Sequence, residues 1–358
     1  MVDKLTSRER FARIYQHKEA DRVPIADGPW GTTIARWHRE GMPENMSWVD
    51  YFGLDHLFSV GGDNSPRYES KVVEETEEYV IVTSGWGVTM RNWKHQSSTP
   101  EFLDFKITDS ELWKEAKARM SPSRDRIDWE HLKNHYRNAR EKQGAWIIGG
   151  LCFGFDITHS WFVGTERVLM AMAEEPEWCL DMFEHELGVS LALLEMIWDE
   201  GYHFDEVFWC EDMGYKNNLF FSVKKYVELL KPLHKKVIDW AHQKGVRVRM
   251  HSCGDISPLV PHFYEIGMDA LNPLEVKAGV DPIDLKKKFG DRMTFHGGIN
   301  AVLWDDKDAI TEEIKRVLPI MKQNGGYIFA SDHSIPDSVS FENFAHIISL
   351  VKTLGSYE

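Results

Sequence analysis

A chain of 358 residues is long enough for two ordinary domains or for one large α/β barrel. Its 42% apolar and 28% charged residues suit a water-exposed globule with a substantial core. A formal net charge of −15 argues against a nucleic-acid groove or a surface for anionic lipid, though it would suit docking to a basic patch on a partner protein.

The chain opens with a helix. Thr6 or Ser7 can cap it, Glu9 lies in the first turn, and Phe11, Ile14 and Tyr15 form an apolar stripe. The start, MVDKLTSRERFARIYQ, has no apolar core of signal-peptide length, and no run approaches the ~20 apolar residues of a membrane span, so the expected location is cytoplasmic. Next, 23-VPIAD-27 reads as a short buried strand. Residues 66–97 contain short alternating β-prone runs and are expected to form an antiparallel excursion, an inserted β-hairpin region.

From about residue 145 a regular rhythm sets in. Strands are expected at 145-AWIIGG-150, 206-EVFWCED-212, 246-VRVRMHS-252, 269-DALNPLE-275, 293-MTFHGG-298 and 326-GYIFASD-332, with long amphipathic segments between several of them, such as 223–245 and 308–325. Parallel crossovers are the economical reading, and no Gly-rich dinucleotide fingerprint follows any strand. The expectation is one (β/α)8 TIM barrel over residues 1–358 with an N-terminal helical extension. Glu211, Asp212, His251, Cys253, Asn272, Glu275, His296, Asp332 and His333 all fall at strand C-terminal ends, the face on which barrels carry their active sites.

The stretch 249-RMHSCGD-255 is the sharpest chemical signal. Two residues apart on an extended strand, His251 and Cys253 point to one side and could bind one ion. A Cys253 nucleophile with His251 as base, or an ordinary buried strand end, are the competing readings. A third ligand would come from His333, Asp332, Asp212 or Glu211. Cys152, Cys179, Cys210 and Cys253 show no disulfide framework spacing.

Four segments together carry a family resemblance: 6-TSRERFARIYQHKEADRVPI-25, 211-EDMGYKNNLFFS-222, 250-MHSCGDI-256 and 331-SDHSIPDSVSFEN-343. The chain resembles the uroporphyrinogen-decarboxylase-like superfamily. Its H-x-C-G element resembles the cobalamin-dependent methyltransferase branch, and within it the methyltransferase I component of O-demethylase systems. The resemblance implies a Zn2+ enzyme that exchanges methyl groups with a corrinoid (cobalamin) carried by a partner protein. The arginine-rich segment of true uroporphyrinogen decarboxylases is absent: 26-ADGPWGTTIARWHREGMP-43 has only Arg36 and Arg39, which disfavours a polycarboxylate porphyrinogen.

Thiol-methylating relatives place a third zinc ligand, a Cys, at a fixed distance before an E-N pair. The same count back from Glu342-Asn343 reaches His333, so the resemblance implies the ligand set His251, Cys253 and His333. One thiolate with two imidazoles leaves a net positive zinc, which suits polarising oxygen. The expected reaction is therefore methyl transfer from a methyl ether, such as a methoxylated aromatic, to Co(I). Glu211 and Asp212 are the candidates for proton handling. Asn217, Tyr215, Trp30, Glu275 and His296 are the candidates for substrate binding, with Trp37, Trp86, Trp93 and Trp161 as further aromatic surfaces. A methylcobalamin:thiol methyltransferase, a metal-free decarboxylase and a non-catalytic metal- or corrinoid-binding module are the alternatives, and assembly into an oligomer is compatible with each.

Overall fold

The computed structural model describes residues 4–95 and 98–357. Its central feature is a seven-stranded parallel sheet. In chain order the strands of the protein are β1 (Leu57–Val60), β2 (Lys71–Glu75), β3 (Tyr79–Thr83), β4 (Val88–Trp93), β5 (Glu101–Phe105), β6 (Trp146–Gly150), β7 (Glu206–Cys210), β8 (Gly214–Tyr215), β9 (Asn218–Leu219), β10 (Arg247–His251), β11 (Ala270–Asn272), β12 (Thr294–His296) and β13 (Tyr327–Ile328). The parallel order is β1-β6-β7-β10-β11-β12-β13. The segment around Ile25 supplies the eighth stave. Ile25 bridges Phe329 in parallel, Ala26 N–H donates to Phe329 O at 3.1 Å, and Asp55 N–H donates to Ile25 O at 3.2 Å. This closes a (β/α)8-type barrel with helices outside.

Strand alternation divides the core in two. Ile147, Val207, Val248, Met250, Leu271 and Phe295 face outward and pack under the helices. Trp146, Ile148, Ala270 and Ile328 face inward and meet Phe11, Ile14 and Tyr15 of the first helix, Ser7–Tyr15, which plugs the N-terminal end of the barrel. Thr6 and Glu9 form a capping box on that helix, as the sequence suggests. The expected 223–245 helix is present with a π-turn at Tyr226–Leu230 before Lys231–Gln243. Pro232 has no N–H to return to the preceding turn, which is a local cause for the widened register.

The strand β1 was not anticipated. Its HLFSV surroundings are short, and its burial alternates weakly. The antiparallel excursion is a four-stranded sheet, β2-β3-β4-β5, that continues to Phe105. It is thus longer than the expected 66–97, whose last two residues lie outside the described residues. Among the described residues no helix is long and apolar enough to cross a membrane.

Two buried ionic centres tie the barrel together. At the closure, Asp55 accepts hydrogen bonds from Arg10, from Arg22 Nη1 at 2.7 Å and from Ile25 N–H at 2.8 Å. In the lumen, the fully buried Glu206 accepts from Arg249 Nε at 2.7 Å, from Trp146 Nε1 at 3.0 Å and from the Tyr15 hydroxyl. Arg249 Nη1 reaches His296 Nδ1 at 3.1 Å, and His296 Nε2 reaches Ala26 O at 2.7 Å. A guanidinium can only donate and a carbonyl can only accept, so His296 is a neutral imidazole with its proton on Nε2. Burial, reinforced by the neighbouring Arg249 charge, pushes its pKa down to about 3.

Two outcomes follow for stability. Asp55→Asn removes the buried negative charge that Arg10 and Arg22 share and is expected to cost about 3–5 kcal/mol; chemical denaturation showing less than ~1 kcal/mol would refute that assignment. For His296 the folded pKa lies below the unfolded value, so its contribution is fully present above pH ~6.5 and is lost as pH falls towards 3. Between pH 6.5 and 5 this amounts to about 2 kcal/mol. His296→Gln is expected to flatten the stability-versus-pH slope by that amount, and an unchanged slope would overturn the neutral-imidazole assignment.

Candidate metal centre and cavity

The inward parity of β10 carries Arg249 and His251 into the lumen, and Cys253 follows just beyond the strand end. His251 Nε2 lies 3.3 Å from Cys253 Sγ and 3.6 Å from Asp212 Oδ1. Asp212 Oδ1 also accepts the Cys253 N–H at 2.8 Å. The potential ligand atoms of Asp212, His251 and Cys253 all lie within 4.8 Å of one another. The other ring nitrogen of His251 donates to Asn272 Oδ1 at 2.7 Å, which leaves the Nε2 lone pair facing Cys253 and Asp212.

Glycine makes this approach feasible. Gly254 has φ +78°, and a Cβ there would stand 2.2 Å from Gly214 C; a Cβ on Gly214 would stand 2.5 Å from Cys253 O. The β8–β9 hairpin therefore presses directly on the Cys253 loop. Glu275 supports the same loop by accepting Gly254 N–H at 2.6 Å, and its other oxygen lies 3.3 Å from Lys277 Nζ.

The donor set fits a borderline-soft cation: one sulfur, one imidazole nitrogen and one carboxylate oxygen. Burial, followed by the charges of Asp212 and Glu275, holds the Cys253 thiol well above its ordinary pKa. That environment disfavours a free thiolate and hence a Cys253 nucleophile acting alone. A cation among the three groups supplies the opposite charge that the cluster otherwise lacks.

The trio opens into a cavity of about 460 Å3 at the C-terminal end of the barrel. Trp30, Phe208, Leu57, Ile148 and Pro273 supply apolar wall; Arg249, His296, Asn272, Asp27 and His333 supply polar groups. Its size and mixed lining suit a small organic molecule carrying a single ring.

The expected site residues separate into groups. His251, Cys253, Asp212, His333, Trp30 and His296 line the cavity together. His333 stands on the lining without belonging to the close trio, and burial lowers its pKa. Glu211 points the other way. It is fully buried, and its carboxylate accepts from Phe155 N–H at 2.5 Å and Trp209 Nε1 at 3.2 Å, with His234 Nε2 also at 3.2 Å. Adjacent residues on an extended chain face opposite sides, so Asp212 enters the site and Glu211 holds the Phe155 loop. Asp332 is likewise committed to backbone, accepting from Ala301 N–H at 2.7 Å and Val276 N–H at 2.9 Å.

Tyr215 and Asn217 lie on the exposed β8–β9 hairpin, where Tyr215 packs on Phe220 with ring centroids 5.6 Å apart. Glu275 acts on the Cys253 loop rather than on the cavity lining. Trp37 is fully buried and stacks on Phe344, and Trp86 and Trp161 pack edge-on against Phe162 and Phe102.

Asp27 is a lining residue that the sequence reading did not single out. It accepts from Ser331 N–H at 2.6 Å, Ser331 Oγ at 2.9 Å and Gly28 N–H at 2.7 Å. Burial pushes its pKa up to about 6. The available signal was its place at the end of 23-VPIAD-27, the same strand-end pattern that marked Asp212 and His333.

Comparisons with known proteins bear on fold and family. A methyltransferase from Methanosarcina mazei superposes with a TM-score of 0.67 at 14% identity, covering 98% of this chain and 99% of that one. A uroporphyrinogen decarboxylase from Helicobacter pylori (strain P12) is 32% identical over 89 residues, which span 25% of this chain and only 24% of that protein. The sequence model of the uroporphyrinogen decarboxylase (URO-D) family matches residues 124–354, from beyond the excursion and the helix after it through the last barrel helix. With well over half of its length matched, the chain belongs to the uroporphyrinogen decarboxylase (URO-D) family.

Proposed function

We propose that this protein is a zinc-dependent methyltransferase that moves a methyl group from a methyl ether, such as a methoxylated aromatic, to a Co(I) corrinoid carried by a partner protein. The observation that carries this reading is the Asp212–His251–Cys253 cluster opening directly onto a ring-sized cavity walled by Trp30 and Phe208. The missing arginine-rich segment speaks against porphyrinogen decarboxylation, since the many carboxylates of such a substrate would lack partners. The likeness to the M. mazei methyltransferase agrees with the reading at the level of fold.

His251 and Cys253 would hold the metal, and Asp212, whose carboxylate lies within 4.8 Å of both, would be the third donor. His333, in the loop that follows β13, lines the same cavity outside the close trio; the ether oxygen would sit on its side. When bound, zinc would act as a Lewis acid on the departing oxygen while Co(I) takes the methyl group. The chain's own contributions are positional. Asn272 fixes the His251 ring, and Trp30 and Phe208 offer aromatic surface on the cavity wall where the arene would sit. His333, whose pKa burial lowers, could offer a ring N–H hydrogen bond to the leaving oxygen.

The trio also favours a second reading. Asp212 and Cys253 together balance a divalent cation, as two thiolates would, and a neutral zinc suits thiol activation in a methylcobalamin:thiol methyltransferase. The ether assignment therefore rests on the aromatic cavity rather than on the charge of the metal site.

One zinc per chain is expected by elemental analysis. His251→Ala and Cys253→Ala should each lower zinc affinity at least about tenfold, Asp212→Asn should weaken it, and His333→Ala should keep zinc while losing methyl transfer. Full activity in metal-free protein would remove the proposal. With Co(I) cobalamin or a corrinoid protein as acceptor, methoxyarenes should methylate cobalt while methanol and methylamines do not. Thioether formation from methylcobalamin and a thiol, without reaction of methoxyarenes, would establish the second reading instead.

A further inference from the structure

We infer that Arg249 is a substrate anchor on the cavity floor and that the methyl donor is an aromatic carboxylate, its carboxylate lying across the ring from the methoxyl group. The donor chemistry rests on the methyl-ether reading above; the anchor itself does not.

Three observations converge on Arg249. It lines the cavity although its own exposure is only 5%, so its guanidinium is part of the floor. Two of its contacts are assigned: Nε donates to Glu206 Oε1 at 2.7 Å and Nη1 to His296 Nδ1 at 3.1 Å. Tyr15 is a third hydrogen-bond partner of Arg249, and a guanidinium carries five N–H donors, so donors remain beyond these three. Glu206, meanwhile, divides its negative charge among Arg249, Trp146 and Tyr15. Arg249 is held rigidly by this group without being fully satisfied by it.

The position sets the geometry. Arg249 and His251 are alternate residues of one strand and share the inward side, so their Cα atoms stand about 6.6 Å apart along the strand. A benzene ring with para substituents bridges such a step: one end on the guanidinium, the other beside the His251–Cys253–Asp212 cluster. Phe208 supports this placement, since the Arg249 guanidinium already lies 4.4 Å from its ring centroid and forms one continuous surface with it. Asp27, the other acid on this wall, is turned to Ser331 and Gly28, and its hydrogen bonds are internal. A carboxylate leaving water for the cavity floor is favoured by a charged donor there, and Arg249 is the arginine on the lining.

Binding separates this inference from the methyl-transfer proposal. By calorimetry with the full chain, 4-hydroxybenzoate should bind about 10- to 100-fold more tightly than phenol or 4-hydroxybenzamide. Arg249→Lys should reduce that preference, and the double variant R249M/E206Q, which leaves no unpaired buried carboxylate, should abolish it while phenol binding persists. Equal binding of the three compounds, no binding of any of them, or a preference that survives in both variants would overturn the anchor. If the carboxylate preference holds but methoxybenzoates never methylate cobalt, the reaction fails and the anchor stands. If methoxybenzene donates as well as 4-methoxybenzoate and the binding preference is absent, the anchor fails and the reaction stands.

Discussion

Much of this molecule depends on one buried carboxylate. Glu206 begins β7 in the lumen, where an unpaired charge would be prohibitively costly, and three donors from three parts of the chain converge on it. Tyr15 comes from the helix that plugs the barrel, Trp146 from β6, and Arg249 from β10. The same interaction therefore seats the N-terminal plug and fixes the register of the lumen. It also holds a guanidinium at the level where the cavity begins. Replacing the set by hydrocarbon could fill the space but would leave no charged floor, so the charge is better suited to recognition than to stability alone.

Strand parity then decides which polar residues reach the site. On β10 it brings Arg249 and His251 inward and sends Val248 and Met250 under the helices. At the end of β7 it divides the acidic pair: Asp212 meets Cys253, and Glu211 turns outward to Trp209, His234 and the Phe155 N–H. A pair that looks equivalent in sequence thus does two unrelated jobs. Strand-end position is a good guide to the active face of a barrel, but the single-residue alternation is what separates site from scaffold.

The barrel was legible because its later strands are apolar runs separated by amphipathic helices, a period that only a few architectures satisfy. β1 escaped because a four-residue strand with partly exposed side chains has no periodic signature, and β5 because it lies beyond the expected end of the excursion. The His251–Cys253 pair was legible because its spacing alone puts both side chains on one face. Its partner was not. Asp212 and His333 are both far from the pair along the chain, and only the folded contact through the Cys253 N–H ranks Asp212 as the nearer. Asp27 was hidden by the same long-range logic, since its partner Ser331 lies 304 residues away.

That exchange of partners has a chemical consequence. Two imidazoles and a thiolate would give a cationic zinc and favour an oxygen leaving group by charge. An imidazole, a thiolate and a carboxylate would give a neutral one, and under the proposed function a preference for oxygen would then have to come from elsewhere. On the proposed reading the cavity would offer two sources: an aromatic wall on which an arene could pack, and His333 on the lining, whose imidazole could serve as a hydrogen-bond donor. Selectivity between ether and thiol would then belong to the groups around the metal rather than to the metal's charge. A relative with Cys in place of His333 would lose that donor and gain a second thiolate in one step, so this single position can shift the balance between the two chemistries.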